Sequence, residues 1–401
     1  MKNKYLIAIF FIIFLDLLGF SLILPLLPAL AEKFQTSQVT IGLLASVYAI
    51  AQLIADPLFG RLSDRTGRRP IILINLLGNF ASFIIMGFAG TIGILFLARI
   101  ISGGTGGTIS TAQAYISDVT DEKNRAKNFG LIGAAFGLGF IMGPALGGFL
   151  SRFGLAVPIF LAAGLDLANL ILVFFWLPES LTPECRTLIA QNKKPPFTLR
   201  ALIETLRLPM VGPLLNARFF FALAFTMITT IFPSYAFTKF GLNSQTTGYL
   251  LAYVGVLTVI VQLFLIGRLS KRFSDKLLIF TGTVLLGISV VGWALAQNIA
   301  TIMVVFIPTA LAGGVFNTII NSAISKSVKP TEVGGTLGIS SSLESLTRVV
   351  APTAGTLLLE KVGTFAPGVF CAVILILLAI YVWRFILSRK TISANPEELI
   401  A

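Results

Sequence analysis

Six charged side chains stand within stretches that are otherwise apolar: Asp16, Arg99, Asp166, Arg218, Glu344 and Arg348. A charge at the centre of a membrane-spanning helix costs about 2.5–3.5 kcal/mol on insertion scales, so such positions point to pairing or function. A carboxyl group in apolar surroundings is suited to taking up and releasing protons. Asp16 and Glu344 are the candidates for that chemistry. From a helix start near Tyr5, Asp16 lies about 17 Å along the axis at roughly 1.5 Å per residue, near a bilayer midplane. Glu344 reaches a similar depth if its helix starts near Val333. Arg348 follows Glu344 by four residues on the same helix face, so a self-neutralised ion pair and a proton site are both open for it. Asp16 has no such neighbour, and proton carriage is its expected role.

The elements that must hold these groups follow from composition. Of 401 residues, 56% are hydrophobic and 12% charged, and the mean hydropathy is +0.91. That is far outside the range of soluble domains, and the alternating pattern of a barrel is missing. Twelve apolar runs, centred near Ile13, Ile50, Phe80, Gly104, Phe140, Leu167, Phe225, Leu257, Leu285, Pro308, Ser345 and Ile374, are long enough to cross a hydrocarbon core of about 30 Å. Backbone polar groups in lipid must be satisfied internally, so these runs are expected to be helices. The fold class is an all-α membrane protein with twelve transmembrane helices.

The net charge of +13 does not indicate nucleic acid, because of where the charges fall. Of the 30 Lys and Arg, 23 lie at the termini and in the even-numbered gaps between helices; the odd-numbered gaps hold only Lys33, Arg152, Lys239 and Lys361. This asymmetry places both termini on the cytoplasmic side. The first apolar stretch is too long for a signal-peptide core and contains Asp16, so it reads as a retained helix. Cys185 and Cys371 have no metal-ligand spacing and are expected to be inert, no histidine is present for zinc chemistry, and no cofactor is expected.

The chain repeats itself. "GRLSDRTGRRP" from Gly60 aligns with "GRLSKRFSDKL" from Gly267, and "GGTISTAQAYIS" from Gly106 with "GGVFNTIINSAIS" from Gly313, both at an offset of 207. "GPALGG" at 143–148 lines up with "APTAGT" at 351–356 in nearly the same register. Two pseudo-symmetric six-helix bundles, 1–180 and 209–401, are expected, joined by a polar, proline-bearing linker over 181–208 whose end could form a surface helix.

Several segments carry a resemblance. "GRLSDRTGRRP" resembles the loop signature between helices 2 and 3 of the major facilitator superfamily, and "LARIISGGTGG" from Leu97 its helix 4 motif, with Arg99 in the arginine position. "DLLGFSLILPLLP" from Asp16 is similar to the helix 1 motif of twelve-helix drug:proton antiporters, and "GLGFIMGPALGGFL" from Gly137 to their helix 5 motif. With "SDVTDEKNRAKNFG" and "LPES", the set is most similar to the tetracycline-exporter branch.

The resemblance implies roles. Gly60, Asp64, Arg65, Gly67 and Arg68 would form a conformational latch, with Asp64 facing the start of helix 11 and Asp118 and Arg125 as partners. Gly139, Gly143, Pro144, Gly147 and Gly148 would form the antiporter motif, its proline bend packing on the other half. Arg99 would tune a nearby carboxyl group, which completes a proton-coupling set of Asp16, Glu344, Arg99 and Arg348. Asp166 is mid-helix 6, and helices 3, 6, 9 and 12 lie outside the cavity in this fold, so it is set aside; Asp56 is assigned to the support of the latch. Polar and aromatic positions suggest substrate contacts at Tyr48, Gln52, Gln113, Phe221, Phe225, Tyr235, Tyr253, Asn317 and Asn321, with Gln262 as a comparable position.

The expected function is proton-coupled efflux of a small amphipathic compound across the cytoplasmic membrane by alternating access. The tetracycline exporters carry an acidic residue within helix 9, whereas residues 277–296 hold none here, which argues against tetracycline itself. The expected partners are a small-molecule substrate, protons and the lipid bilayer, with the protein acting as a monomer. An uptake carrier or uniporter on the same fold and a non-transporting membrane sensor are the alternatives. An enzyme is not expected.

Overall fold

The computed structural model describes residues 2–120, 125–181, 206, 208, 210–328 and 333–388. Among the described residues all regular structure is helical. Eleven helices are long and apolar enough to span a membrane: α1 (Tyr5–Lys33), α2 (Gln38–Thr66), α3 (Arg68–Gly87), α4 (Ile92–Val119), α5 (its apolar part Leu131–Ser151), α6 (Ala156–Trp176), α7 (Gly212–Phe240), α8 (Ser244–Arg272), α9 (Asp275–Leu295), α10 (Ile299–Lys326) and α12 (Ala366–Leu387). The twelfth, α11 (Val333–Lys361), is as long but less apolar, because "SSSLESLTR" fills its middle. A helix that polar belongs against water or other helices rather than lipid.

Helix interruptions follow the sequence. Pro25 and Pro28 loosen α1 into a short 3-10 turn at Leu24–Leu26. The run "GGTGG" breaks α4 between Gly104 and Thr108. Gly67 joins α2 to α3 at φ 113°, a conformation other residues rarely adopt.

The buried cores respect the repeat. One apolar cluster is drawn wholly from residues 211–386, and two others wholly from residues 6–177. The halves therefore fold as two bundles. They meet along two helix pairs, α2 with α11 and α5 with α8.

These pairs converge at one end only. At the end carrying the 33–38, 151–156 and 361–366 connections, the Ser46 and Thr353 hydroxyls are 2.7 Å apart and the Val39 amide donates to Glu360 Oε2 at 3.1 Å. Gly148 there lies against the Ser244 carbonyl, and Gly248 against the Pro144 carbonyl. At the opposite, basic end, a Cβ added to Gly60, Gly133, Gly267 or Gly338 would meet nothing within 4 Å. The molecule is a V, open at its basic end.

Candidate functional site

A cavity of about 330 Å³ lies between the halves, below the closed end. The N-terminal half supplies Leu24, Phe136, Gly137, Phe140 and Pro144; α7, α8 and α10 supply the rest, including Phe225, Phe232 and Phe306. Its polar lining is limited to Thr229, Thr258, Thr309 and Gln262. Gln262 sits in a π-helical turn, Val261–Leu265, that swells α8 where it passes the cavity. Such a lining favours apolar molecules with few hydrogen-bonding groups.

Of the expected substrate contacts, Phe225 and Gln262 line this cavity. Phe221 does not: it is fully buried and stacked on Phe316 at 3.6 Å between centroids. Tyr235 likewise stacks on Trp293 and donates to its carbonyl at 2.8 Å, inside the C-terminal core. Helical spacing alone does not say which side of α7 faces the gap, and both aromatics turned to the core. Tyr253 donates to the Met303 carbonyl at 3.4 Å and Asn317 accepts from Arg218 at 2.6 Å, so both brace helices. Gln52 reaches the Gly106 carbonyl, at 3.4 Å, in the break of α4. Gln113 and Asn321 are exposed outside the described cavity. Tyr48 meets Phe20, which in turn meets Phe140, and so connects α2 to the cavity wall.

The expected proton-coupling residues divide between the halves. In the N-terminal bundle Asp16 accepts from the Asn79 amide at 3.2 Å. Asn79 is oriented in turn by Ser102, which donates to its Oδ1 at 3.2 Å. Arg99 is buried, lies over the Tyr48 ring at 5.8 Å, and has no ion pair among the described residues. In the C-terminal bundle Glu344 accepts from both Arg218 and Arg348. Arg218 is the partner that the sequence did not pair with it. Asp166, set aside as lying outside the cavity, is 1% exposed and faces the Asp16 side of α1.

The latch residues form a clasp within one half. Arg68 is buried and pairs with Asp64 at 2.6 Å and Asp118 at 3.1 Å. Asp64 therefore closes on its own loop in this open state and makes no contact with α11 among the described residues. Arg65 is exposed, and the Arg125 side chain lies outside the described residues. Glu179, in "LPES", accepts from the backbone N–H groups of Arg68 and Arg69 at 2.8 and 3.2 Å and so caps α3. An acidic residue shortly after a helix, at the level of another helix start, is the signal that could have revealed it.

The antiporter-motif glycines also divide. Gly139, Gly143 and Gly147, four apart, press against Leu17, Ser21 and Leu22 of α1. Pro144 and Gly148 face α8 of the other half. Only the second group carries the inter-half contact; the first lets α1 approach within one bundle. Cys371 is buried and free, whereas Cys185 and nearly all of the 181–208 linker lie outside the described residues.

The profile of the Major Facilitator Superfamily matches residues 9–264 and 214–400. The chain belongs to this superfamily. It is 32% identical over 367 residues to the class C tetracycline resistance protein of Escherichia coli, covering 88% of each chain. It is 29% identical to multidrug resistance protein 2 of Bacillus subtilis, covering 87% of each. Among solved structures it resembles a bacterial homologue of the human lysosomal transporter Spinster, in an inward-facing and occupied conformation. That match has TM-score 0.77 at 16% identity and covers 96% and 97% of the two chains. The superfamily's two-bundle architecture, expected from the repeat, is the one observed.

Proposed function

We propose that this chain is a proton-driven exporter of small lipophilic or weakly cationic compounds, working by alternating access in the cytoplasmic membrane with both termini in the cytoplasm. The observation that carries the reading is the combination of an apolar cavity between two bundles, closed at one end, with a carboxyl group held mid-helix in α1. The distribution of basic residues supports a cytoplasmic basic end, which makes the described state inward-open. The efflux relatives and the helix 5 motif support export rather than uptake. In this reading the chain acts as a monomer.

Asp16 is the proton carrier in this reading, with Asn79 orienting it and Arg99 supplying a neighbouring positive field through Tyr48. Glu344, pinned between two arginines, sets charge along the open gap with Arg348. Phe225, Phe140, Phe232 and Gln262 hold the substrate. When the basic end closes, Asp64 and Arg65, supported by Arg68 and Asp118, latch the halves. A proton-motive force of about 150 mV supplies roughly 3.5 kcal/mol per proton, enough to sustain a gradient of a few hundredfold.

Whole-cell efflux of a lipophilic cation such as ethidium, with and without an uncoupler, tests this reading. Efflux is expected to collapse with the proton gradient and to be abolished by Asp16→Asn at unchanged membrane abundance. Accumulation indifferent to the uncoupler would refute export by proton exchange; full activity of Asp16→Asn would remove Asp16 from the proton step.

A further inference from the structure

Asp166 has a setting that the transport cycle described so far does not use. It is 1% exposed, and neither of its carboxylate oxygens has a hydrogen-bond partner among the described residues. Its place on α6 is fixed by its neighbours. One turn toward the basic end, Asn169 donates to the Ile12 carbonyl at 2.9 Å; one turn the other way, Ala162 lies against Gly19. On α1, Asp16 lies between Ile12 and Gly19, so both carboxyl groups occupy one level of the α1–α6 interface, where they interact electrostatically.

The surroundings offer no counter-charge to Asp166. From α3 comes the amide of Asn79, and α5 packs on this part of α1 through glycines. On α2, Tyr48 lies within electrostatic range of Asp16, Arg99, Asp56 and Arg348. One turn along α6, Asn169 Oδ1 is likewise without a hydrogen-bond partner among the described residues.

We propose that Asp16 and Asp166 form one electrostatically coupled proton-binding unit that carries a single proton at the α1–α6 interface of the N-terminal bundle, outside the substrate cavity. Two like charges at one level of an apolar interface cannot both persist, so one proton resides on the pair. The proposal deepens the proton-export reading and rests on it for its purpose. Its consequence is that proton and substrate occupy separate places. Leu24, which lines the cavity, stands eight residues beyond Asp16, about 12 Å along α1 at roughly 1.5 Å per residue. Coupling then runs through the packing of α1 rather than by competition for one carboxylate.

The test is infrared titration of the carboxyl C=O band in the purified, detergent-solubilised chain. Interacting acids release protons in two separated macroscopic steps. Read as differences from the Asp16→Asn/Asp166→Asn double variant, which keeps the other fifteen acidic side chains, the wild type is expected to show two steps and each single variant one; Asp166→Glu should keep both. A wild-type curve equal to the sum of the two single-variant curves would overturn the shared unit. If Asp166→Asn does not fold, the difference between wild type and Asp16→Asn decides alone: a displaced Asp166 step should appear in it as a paired gain and loss, and a difference made of one plain step would overturn the unit. The titration needs no transport, so wild-type vesicles without proton-driven flux would overturn the export reading while leaving the pair standing.

Discussion

Glu344 accepts from Arg218 on one side and Arg348 on the other, and Arg218 is further held by the Asn317 side-chain carbonyl. A buried guanidinium stripped of its partner is costly, and so is a carboxylate stripped of its arginine. Arg218→Ala should therefore destabilise the protein by about 2–3 kcal/mol, less than a fully buried pair because Arg348 remains. Replacing Arg218 and Glu344 together should recover part of that loss. Thermal unfolding in detergent, followed by loss of the monodisperse peak, reads both; a double variant no better than Arg218→Ala would show that packing, not charge, sets the cost. The sequence revealed the Glu344–Arg348 spacing because both residues lie on one helix. It could not reveal Arg218, which arrives from α7, 126 positions away.

At the scale of elements, the tight places are the crossings of α5 with α1 and with α8. The Gly248 Cα position leaves no room for a side chain between it and the Pro144 carbonyl, and Gly148 is equally close to the 244–245 backbone. Gly248→Leu should force α5 and α8 apart at the closed end and shift the population toward the outward-open state. A cysteine at Thr229, within the cavity, should then react from outside with an impermeant thiol reagent; unchanged protection would show that the crossing does not seal the cavity. The helix 5 motif was legible as a run of small residues. Its division into a stripe serving α1 and a pair serving α8 was not, because glycines four apart mark close contact without naming the partner.

For the whole molecule, the V shape makes the two ends of one repeat serve opposite purposes. Ser46 and Thr353 come from different halves, yet their hydroxyls are 2.7 Å apart, close enough for a disulfide between cysteines placed there. In a background lacking Cys185 and Cys371, oxidised Ser46→Cys/Thr353→Cys should be locked inward-open and inactive in export, and reduction should restore activity. Cross-linked protein that still transports would mean that this end does not open during the cycle. The Arg68 clasp holds α2, α3 and α4 together on one side of the gap.

The sequence by itself determined the class, the twelve spans, the duplication and the sidedness of charge, because these are properties of composition and of period along one chain. It also singled out Asp16, since an acid in an apolar helix is anomalous wherever the helix goes. Only the tertiary structure decided which groups meet: Arg218 with Glu344, Glu179 with the start of α3, and Asp166 with the Asp16 side of α1. Such pairings depend on how each helix is rotated about its own axis. That rotation is set by side-chain packing across the bundle, which no local pattern encodes.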